Sequence, residues 1–156
     1  MNKILSLTRR CVEDYNMIRP GDRIAVGVSG GKDSLMLLMA LAKLREFYPV
    51  PFTLEAVTLD LGTSNFAQGN DFSPVARLCR ELDVPYTVIP SQIRWVIFNS
   101  RQEKNPCSLC SKMRRGAIHA ALQERGISKI ALGHHYDDAV ETFFMSLIFE
   151  GRLSCF

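Results

Sequence analysis

Residues 23–34 read RIAVGVSGGKDS, and the fold turns on how this stretch is parsed. Residues 23–28 form a short apolar run with β-branched members, the pattern of a buried strand. Residues 35–44 place Leu35, Leu38, Met39, Ala42 and Leu44 on one face of a helix. SGGKDS is then the turn between strand and helix, a place suited to an anion. Its glycines let amide N–H groups converge on phosphate oxygens, the helix presents its positive end, and Lys32 adds a full charge.

Two common phosphate-loop readings are weakened by particular residues. A Walker A loop needs a glycine where this chain has Val26, and a Ser or Thr where it has Asp33. The dinucleotide fingerprint fails because Ser29 stands in a glycine position if Gly27 is the first. SGGKDS between strand and helix resembles the pyrophosphate loop of the N-type ATP pyrophosphatases, which split ATP between its α and β phosphates. On that resemblance Ser29, Gly30, Gly31, Lys32, Asp33 and Ser34 hold the departing pyrophosphate, and Lys32 and Asp33 join the catalytic set.

A chain of 156 residues with 47% hydrophobic content is expected to build one domain, 1–156, around one core. No apolar run approaches the roughly 18 residues of a membrane span, and Lys3, Arg9 and Arg10 interrupt the N-terminal apolar residues where a secretory segment would be continuous. The expectation is a cytoplasmic protein with no membrane partner. Five cysteines, an odd number, fit thiols or metal ligands better than a disulfide framework. The formal charge of +3 is unevenly spread. Residues 91–116 hold Arg94, Arg101, Lys104, Lys112, Arg114 and Arg115 against Glu103 alone, a balance of +5 that leaves −2 elsewhere. Such a run is either a solvated face or a polyanion contact.

Outward from the loop, residues 3–18 carry a helical apolar stripe stopped by Pro20 and Gly21, an opening helix (about 1–19) expected to lie across the sheet. Residues 52–60 read as a second strand whose end places Thr58, Leu59 and Asp60 toward the nucleoside half of a nucleotide. Residues 61–70 are a Gly, Ser and Asn loop over the same mouth. Ser73 before Pro74 predicts a helix capped by the Ser73 hydroxyl and running to about residue 83, with Cys79 in its core face. Residues 86–89 form a third strand, and periodicity leaves residues 92–99 open between helix and strand. Cys107 and Cys110, in CSLC, precede a basic helix ending at Gly126. Paired thiols at this spacing suit sulfur or iron–sulfur chemistry, structural zinc, or neither. Residues 129–133 form a fourth strand leading into GHHYDDAVET, where Asp137 and Asp138 either hold magnesium or cap the last helix. That helix, residues 139–149, is apolar nearly all round and is expected to be buried by its own domain or by a partner.

SGGKDS at Ser29, VTLD ending at Asp60, PCSLCSKMRRG at Pro106 and KIALGHHYDDAVET at Lys129 together resemble the TtcA family, the tRNA 2-thiocytidine synthetases, in order and spacing. The resemblance implies an α/β fold, a Rossmann-like parallel sheet with helices on both faces. It also implies an enzyme that uses ATP and magnesium to adenylate the C2 oxygen of an anticodon-loop cytidine before sulfur displaces AMP. Residue by residue, Thr58, Leu59, Asp60, Gly133 and His134 join the loop in binding ATP, and Asp137 and Asp138 hold magnesium. Cys107 and Cys110 help hold a 4Fe-4S cluster, and Lys112, Arg114 and Arg115 meet the tRNA. Sulfur would come from a cysteine desulfurase persulfide. In the family a fifth strand and a third cluster cysteine lie further downstream, and Cys155 does not match that cysteine. The resemblance therefore implies either a truncated chain or a short homologue that borrows strand and ligand from a partner, and the open sheet edge favours a homodimer. Two rivals remain: a thiolase of the same superfamily acting on uridine, and an ATP-binding module without catalysis.

Overall fold

The computed structural model describes residues 2–62, 70–100 and 106–155. In chain order the elements are α1 (Asn2–Asp14), β1 (Asp22–Gly27), α2 (Lys32–Phe47), β2 (Phe52–Asp60), α3 (Ser73–Glu81), β3 (Tyr86–Pro90), α4 (Ile93–Trp95, running on as a π-helical turn over Val96–Ser100), α5 (Pro106–Glu124), β4 (Lys129–Leu132) and α6 (Tyr136–Glu150). The strands form one parallel sheet in the order β3-β2-β1-β4. β1 and β2 alternate between two buried faces, as parallel strands covered on both sides must. Ile24, Val26, Leu54 and Ala56 face a large core built with Leu38, Leu41 and Leu44 of α2 and with Val75 and Cys79 of α3. Ala25 and Val57 face a smaller one with Leu122 of α5 and Ile127.

The order of the sheet follows from handedness. Right-handed crossovers through α2 and α3 step from β1 to β2 to β3 on one face, and the return through α5 to β4 must use the other. The strand order therefore reverses between β1 and β4, and the crevice beyond their carboxyl ends is the switch point of the sheet.

Several expectations need correction. The opening helix ends at Asp14, because Asn16 takes a left-handed φ of 49° and the Met17 amide closes back on Val12 O at 3.0 Å. It rests on α2 and not across the sheet. α3 has Phe72 at its N-cap. Ser73 is the first helical residue and its amide donates to Asp71 Oδ1 at 2.9 Å, so an acidic residue two places earlier does the work assigned to the Ser73 hydroxyl. The segment left open between helix and strand is helical from Ile93, with Gln92 as its N-cap. CSLC lies inside α5, since the helix opens at Pro106, a residue whose fixed φ suits the first turn. α6 is not buried by the described residues of its own domain, the first of the two expected alternatives: Ser146 is its one buried residue, and Phe144, Met145, Ile148 and Phe149 are each more than half exposed. Most of the loop predicted over residues 61–70 lies outside the described residues, as do Arg101 and Lys104 of the basic segment.

Candidate functional site

α2 begins at Lys32, so the last three residues of SGGKDS are the first turn of a helix. Its first backbone bond runs from the Leu35 amide to Gly31 O at 3.1 Å, which leaves the amides of Lys32, Asp33 and Ser34 without an intrahelical acceptor. Gly30 sits at φ +83°, a conformation that lets the chain reverse direction over the helix end. The loop is held from within by Ser34, which is 6% exposed. Its Oγ donates to Gly31 O at 2.9 Å and accepts from the Ser29 amide at 3.2 Å. Ser34 therefore shapes the loop, whereas Ser29, Gly30, Gly31, Lys32 and Asp33 form its exposed rim.

β4 delivers the opposite wall. A Cβ on Gly133 would stand 2.8 Å from the Ser34 amide nitrogen and 2.9 Å from its Cα, so the backbone after β4 lies directly on the first turn of α2. Only glycine permits that approach. Beyond it, His134 is exposed and His135 is the N-cap of α6. Asp138 Oδ2 accepts the His135 amide at 2.8 Å, so Asp138 does cap the helix, while Asp137 is exposed in the same first turn. Capping occupies one oxygen of Asp138 and none of Asp137. The pair thus retains acceptors for a magnesium ion, which commonly uses one or two carboxylates with waters and phosphates.

The end of β2 is less open than its sequence implies. Thr58 is buried and donates to Val28 O at 2.6 Å while accepting from Tyr86 OH at 2.9 Å, and burial raises the Tyr86 pKa, opposed by that bond. Leu59 packs against the smaller core. Asp60 is 6% exposed and takes the Gly62 amide on Oδ1 at 3.0 Å. These three side chains brace the floor of the crevice, and what they leave toward a nucleoside is the backbone of the strand end.

α5 ends in a Schellman closure: the Ile127 amide reaches Leu122 O at 2.9 Å, and that of Gly126 reaches Gln123 O at 3.0 Å. Its C-terminus is anchored to the sheet by Arg125, which pairs with Glu55 and donates to Thr87 Oγ1 at 3.1 Å, while Arg23 Nη1 donates to Arg125 O at 2.7 Å. Since α5 leads into the amino end of β4, its own N-terminus points toward the carboxyl edge. At 19 residues it is about 28 Å long, against about 20 Å for β1. CSLC therefore shares the edge with the phosphate loop and the Asp60 strand end. Cys107 is exposed and Cys110 half-buried, one turn apart on one side of the helix. No group of three His, Cys, Asp or Glu suited to a metal ion occurs among the described residues. Two thiols alone fall short of the donor set of an iron–sulfur cluster. Lys112, Arg114 and Arg115 are exposed further along α5, with no ion pair to any described residue. A cleft of about 430 Å³ beside His119, Gln123, Lys129 and Ile130 lies at the opposite edge and has no glycine-rich turn.

Sequence reading missed the Arg23–Glu55–Thr87–Arg125 anchor, whose members are far apart in the chain. It also missed the exposure of Trp95 and Phe98, which lie 56% and 59% open.

An open parallel sheet with an anion-accepting turn at its switch point defines an α/β ligand-binding domain of the phosphate-loop kind. The chain belongs to the PP-loop domain family, which it matches over residues 4–154. It is 46% identical over 148 residues to the tRNA-cytidine(32) 2-sulfurtransferase of Xanthomonas campestris pv. campestris (strain B100), covering 93% of this chain and 47% of that protein. It is 42% identical over 153 residues to the enzyme of the same name from Alkalilimnicola ehrlichii, covering 97% and 48%. The chain spans about half the length of the curated relatives it matches. Among solved structures, the U34-tRNA thiolase NcsA from Methanococcus maripaludis with its 4Fe-4S cluster shares the fold at a TM-score of 0.74 and 24% identity, over 88% of this chain and 46% of that one. No described helix is long and apolar enough to cross a membrane.

Proposed function

We propose that this chain is the ATP-binding, adenylating unit of a cytoplasmic tRNA thiolase that converts an anticodon-loop cytidine to 2-thiocytidine. The observation that carries the reading is the contact of Gly133 with Ser34, which closes the glycine loop and the end of β4 onto one crevice. The similarity to tRNA-cytidine(32) 2-sulfurtransferases over nearly the whole chain supports the choice of substrate.

In this reading residues 1–156 act as one PP-loop unit. The amides of the loop rim and the Lys32 ammonium hold the β and γ phosphates of ATP, and Asp33 stands beside them. The backbone of Thr58, Leu59 and Asp60, with Gly133 and His134, borders the nucleoside. The cytosine C2 oxygen is a poor leaving group until it is esterified. It attacks the α phosphorus, the bond between the α phosphorus and the bridging oxygen breaks, and the electron pair departs with pyrophosphate. Loop amides and Lys32 stabilise that developing charge. Asp137 and Asp138 would hold magnesium, which when bound neutralises charge shared between phosphates. Sulfide-level sulfur, released from the persulfide of a cysteine desulfurase by a dithiol reductant that is itself oxidised to the disulfide, then attacks C2, and the C2–O bond breaks with its electron pair leaving on AMP. Cys107 and Cys110 would contribute two thiolate ligands to a 4Fe-4S cluster whose remaining donors lie outside the described residues. Lys112, Arg114 and Arg115 would meet tRNA phosphates. The exposed apolar face of α6 is consistent with a homodimer.

The test is magnesium-dependent release of AMP and pyrophosphate from ATP, with and without tRNA. Stimulation by tRNA is expected, with a loss of roughly a hundredfold in Lys32→Ala. ATP binding with no AMP formed in the presence of tRNA and a sulfur donor would leave a binding module only. Nucleoside mass spectrometry of tRNA from a strain lacking the gene should show loss of 2-thiocytidine, and loss of 2-thiouridine in its place would move the substrate to uridine.

A further inference from the structure

α4 and its π-helical continuation present two contrasting sides. Ile93 and Ile97, 4% and 1% exposed, anchor the segment in the protein, and the side left to solvent carries Arg94, Trp95 and Phe98. The Arg94 guanidinium carbon lies 5.9 Å from the centre of the Phe98 ring. The segment is tied to the carboxyl edge of the sheet, where the Arg94 amide donates to Leu61 O at 2.9 Å and Ser91 Oγ to Asp60 O at 2.6 Å. It also packs against α5. α5 has no carboxylate from residue 106 to residue 123 and carries Lys112, Arg114 and Arg115. A π-helical turn is rare and recurs at functional positions. A lone exposed aromatic is ordinary. Two exposed aromatics with an arginine over one ring, flanking a cationic helix that has no acidic residue before Glu124, match the requirements of unpaired nucleotides, which stack on aromatic faces while their phosphates follow a basic track.

We propose that Trp95, Phe98 and Arg94 form a stacking platform for unpaired nucleotides of RNA, with Lys112, Arg114 and Arg115 taking the adjoining phosphates. This rests on the tRNA reading above and extends it, because the platform stands at the same sheet edge as the phosphate loop and CSLC. A loop base stacked there is held out of its own helix, within the region where adenylation and sulfur insertion would occur.

Trp95 is the chain's one tryptophan, so its fluorescence reports on this surface without ambiguity. The full chain is titrated with a stem–loop RNA and, separately, with a blunt RNA duplex of equal charge. The stem–loop is expected to quench Trp95 and the duplex is not. Trp95→Ala and Phe98→Ala should each weaken stem–loop binding by about five- to a hundredfold while leaving duplex binding unchanged. Lys112→Ala and Arg115→Ala should weaken both RNAs alike and each lower the salt slope by about one. Trp95→Phe keeps an aromatic face and should retain stem–loop affinity, which guards against a Trp95→Ala variant that fails to fold. Equal quenching by both RNAs, or unchanged stem–loop affinity in folded Trp95→Ala and Phe98→Ala, overturns the platform. So does sedimentation showing that these variants lose self-association and keep RNA affinity, since the occupant is then a second copy. If the platform fails while wild-type protein still forms AMP under tRNA stimulation, the thiolase reading survives; if wild type binds neither RNA, both fall.

Discussion

The contact of Gly133 with Ser34 shows how little space the site leaves at the level of single atoms. A methyl group at residue 133 would meet main-chain atoms, which cannot swing aside as a flexible side chain would. Gly133→Ala is therefore expected to cost about 1–3 kcal/mol of stability and to open the loop, weakening ATP binding. Thermal unfolding with and without ATP checks both parts, and a variant with wild-type midpoint and wild-type ATP-induced shift would show that the contact does not set the site. The same scale explains why Ser34, Thr58 and Asp60 could be named from sequence but not assigned a direction. A hydroxyl or carboxylate at a strand end suits ligand and backbone equally, and here Ser34 turns inward to Gly31 O, Thr58 to Val28 O and Asp60 to the Gly62 amide. Cys79 was legible as core because its neighbours are apolar at helical spacing. Burial accordingly raises its thiol pKa.

Among the elements, β4 is the shortest strand of the sheet, with four residues, and its amino end is held by an ion pair from Lys129 to Asp22 on β1. The Lys129 ammonium, followed by the Arg19 amide, lowers the Asp22 pKa below the ordinary carboxylate range. A carboxyl depressed in the folded state contributes stability that is present above its unfolded pKa, near 4, and lost as pH falls through the folded value. Wild type should thus exceed Asp22→Asn in stability by a constant amount above about pH 5, with the difference shrinking as the medium is made more acidic. Denaturant midpoints measured across that range decide it, and a pH-independent difference would remove Asp22 as the titrating group. The CSLC placement belongs here too. Residues 106–110 lack the periodicity that marks a helix, so the helix reads as starting after the motif until Pro106 is seen to open α5.

For the molecule as a whole, α6 is the element that the described residues do not cover. Its apolar residues run all round, yet Phe144, Met145, Ile148 and Phe149 stand in water. Burial of such a face is the main reward available to it, and a second copy of the chain supplies one. Replacing Ile148 and Phe149 by Ser should shift the protein toward monomer in sedimentation velocity while changing the unfolding stability of the monomer itself by no more than about 0.5 kcal/mol, since neither side chain is packed within one chain. An unchanged mass distribution would exclude α6 as a self-contact. Hydropathy left open whether its own domain or a partner buries this helix, because it records what a side chain prefers and not what is at hand to cover it.

The phosphate turn, the four parallel strands and the crossover helices follow from local rules: strand runs are short and β-branched, turns need glycine, and helices bury one stripe. Those rules act within a dozen residues and leave a record in the chain itself. The reversal of strand order that makes a crevice, the Arg125 anchor that aims α5, the approach of Gly133 to Ser34, and the inward turn of three expected ligand side chains were decided by tertiary structure alone. Each depends on atoms from distant segments meeting within hydrogen-bond or van der Waals range, and no periodicity in one segment encodes where another will lie.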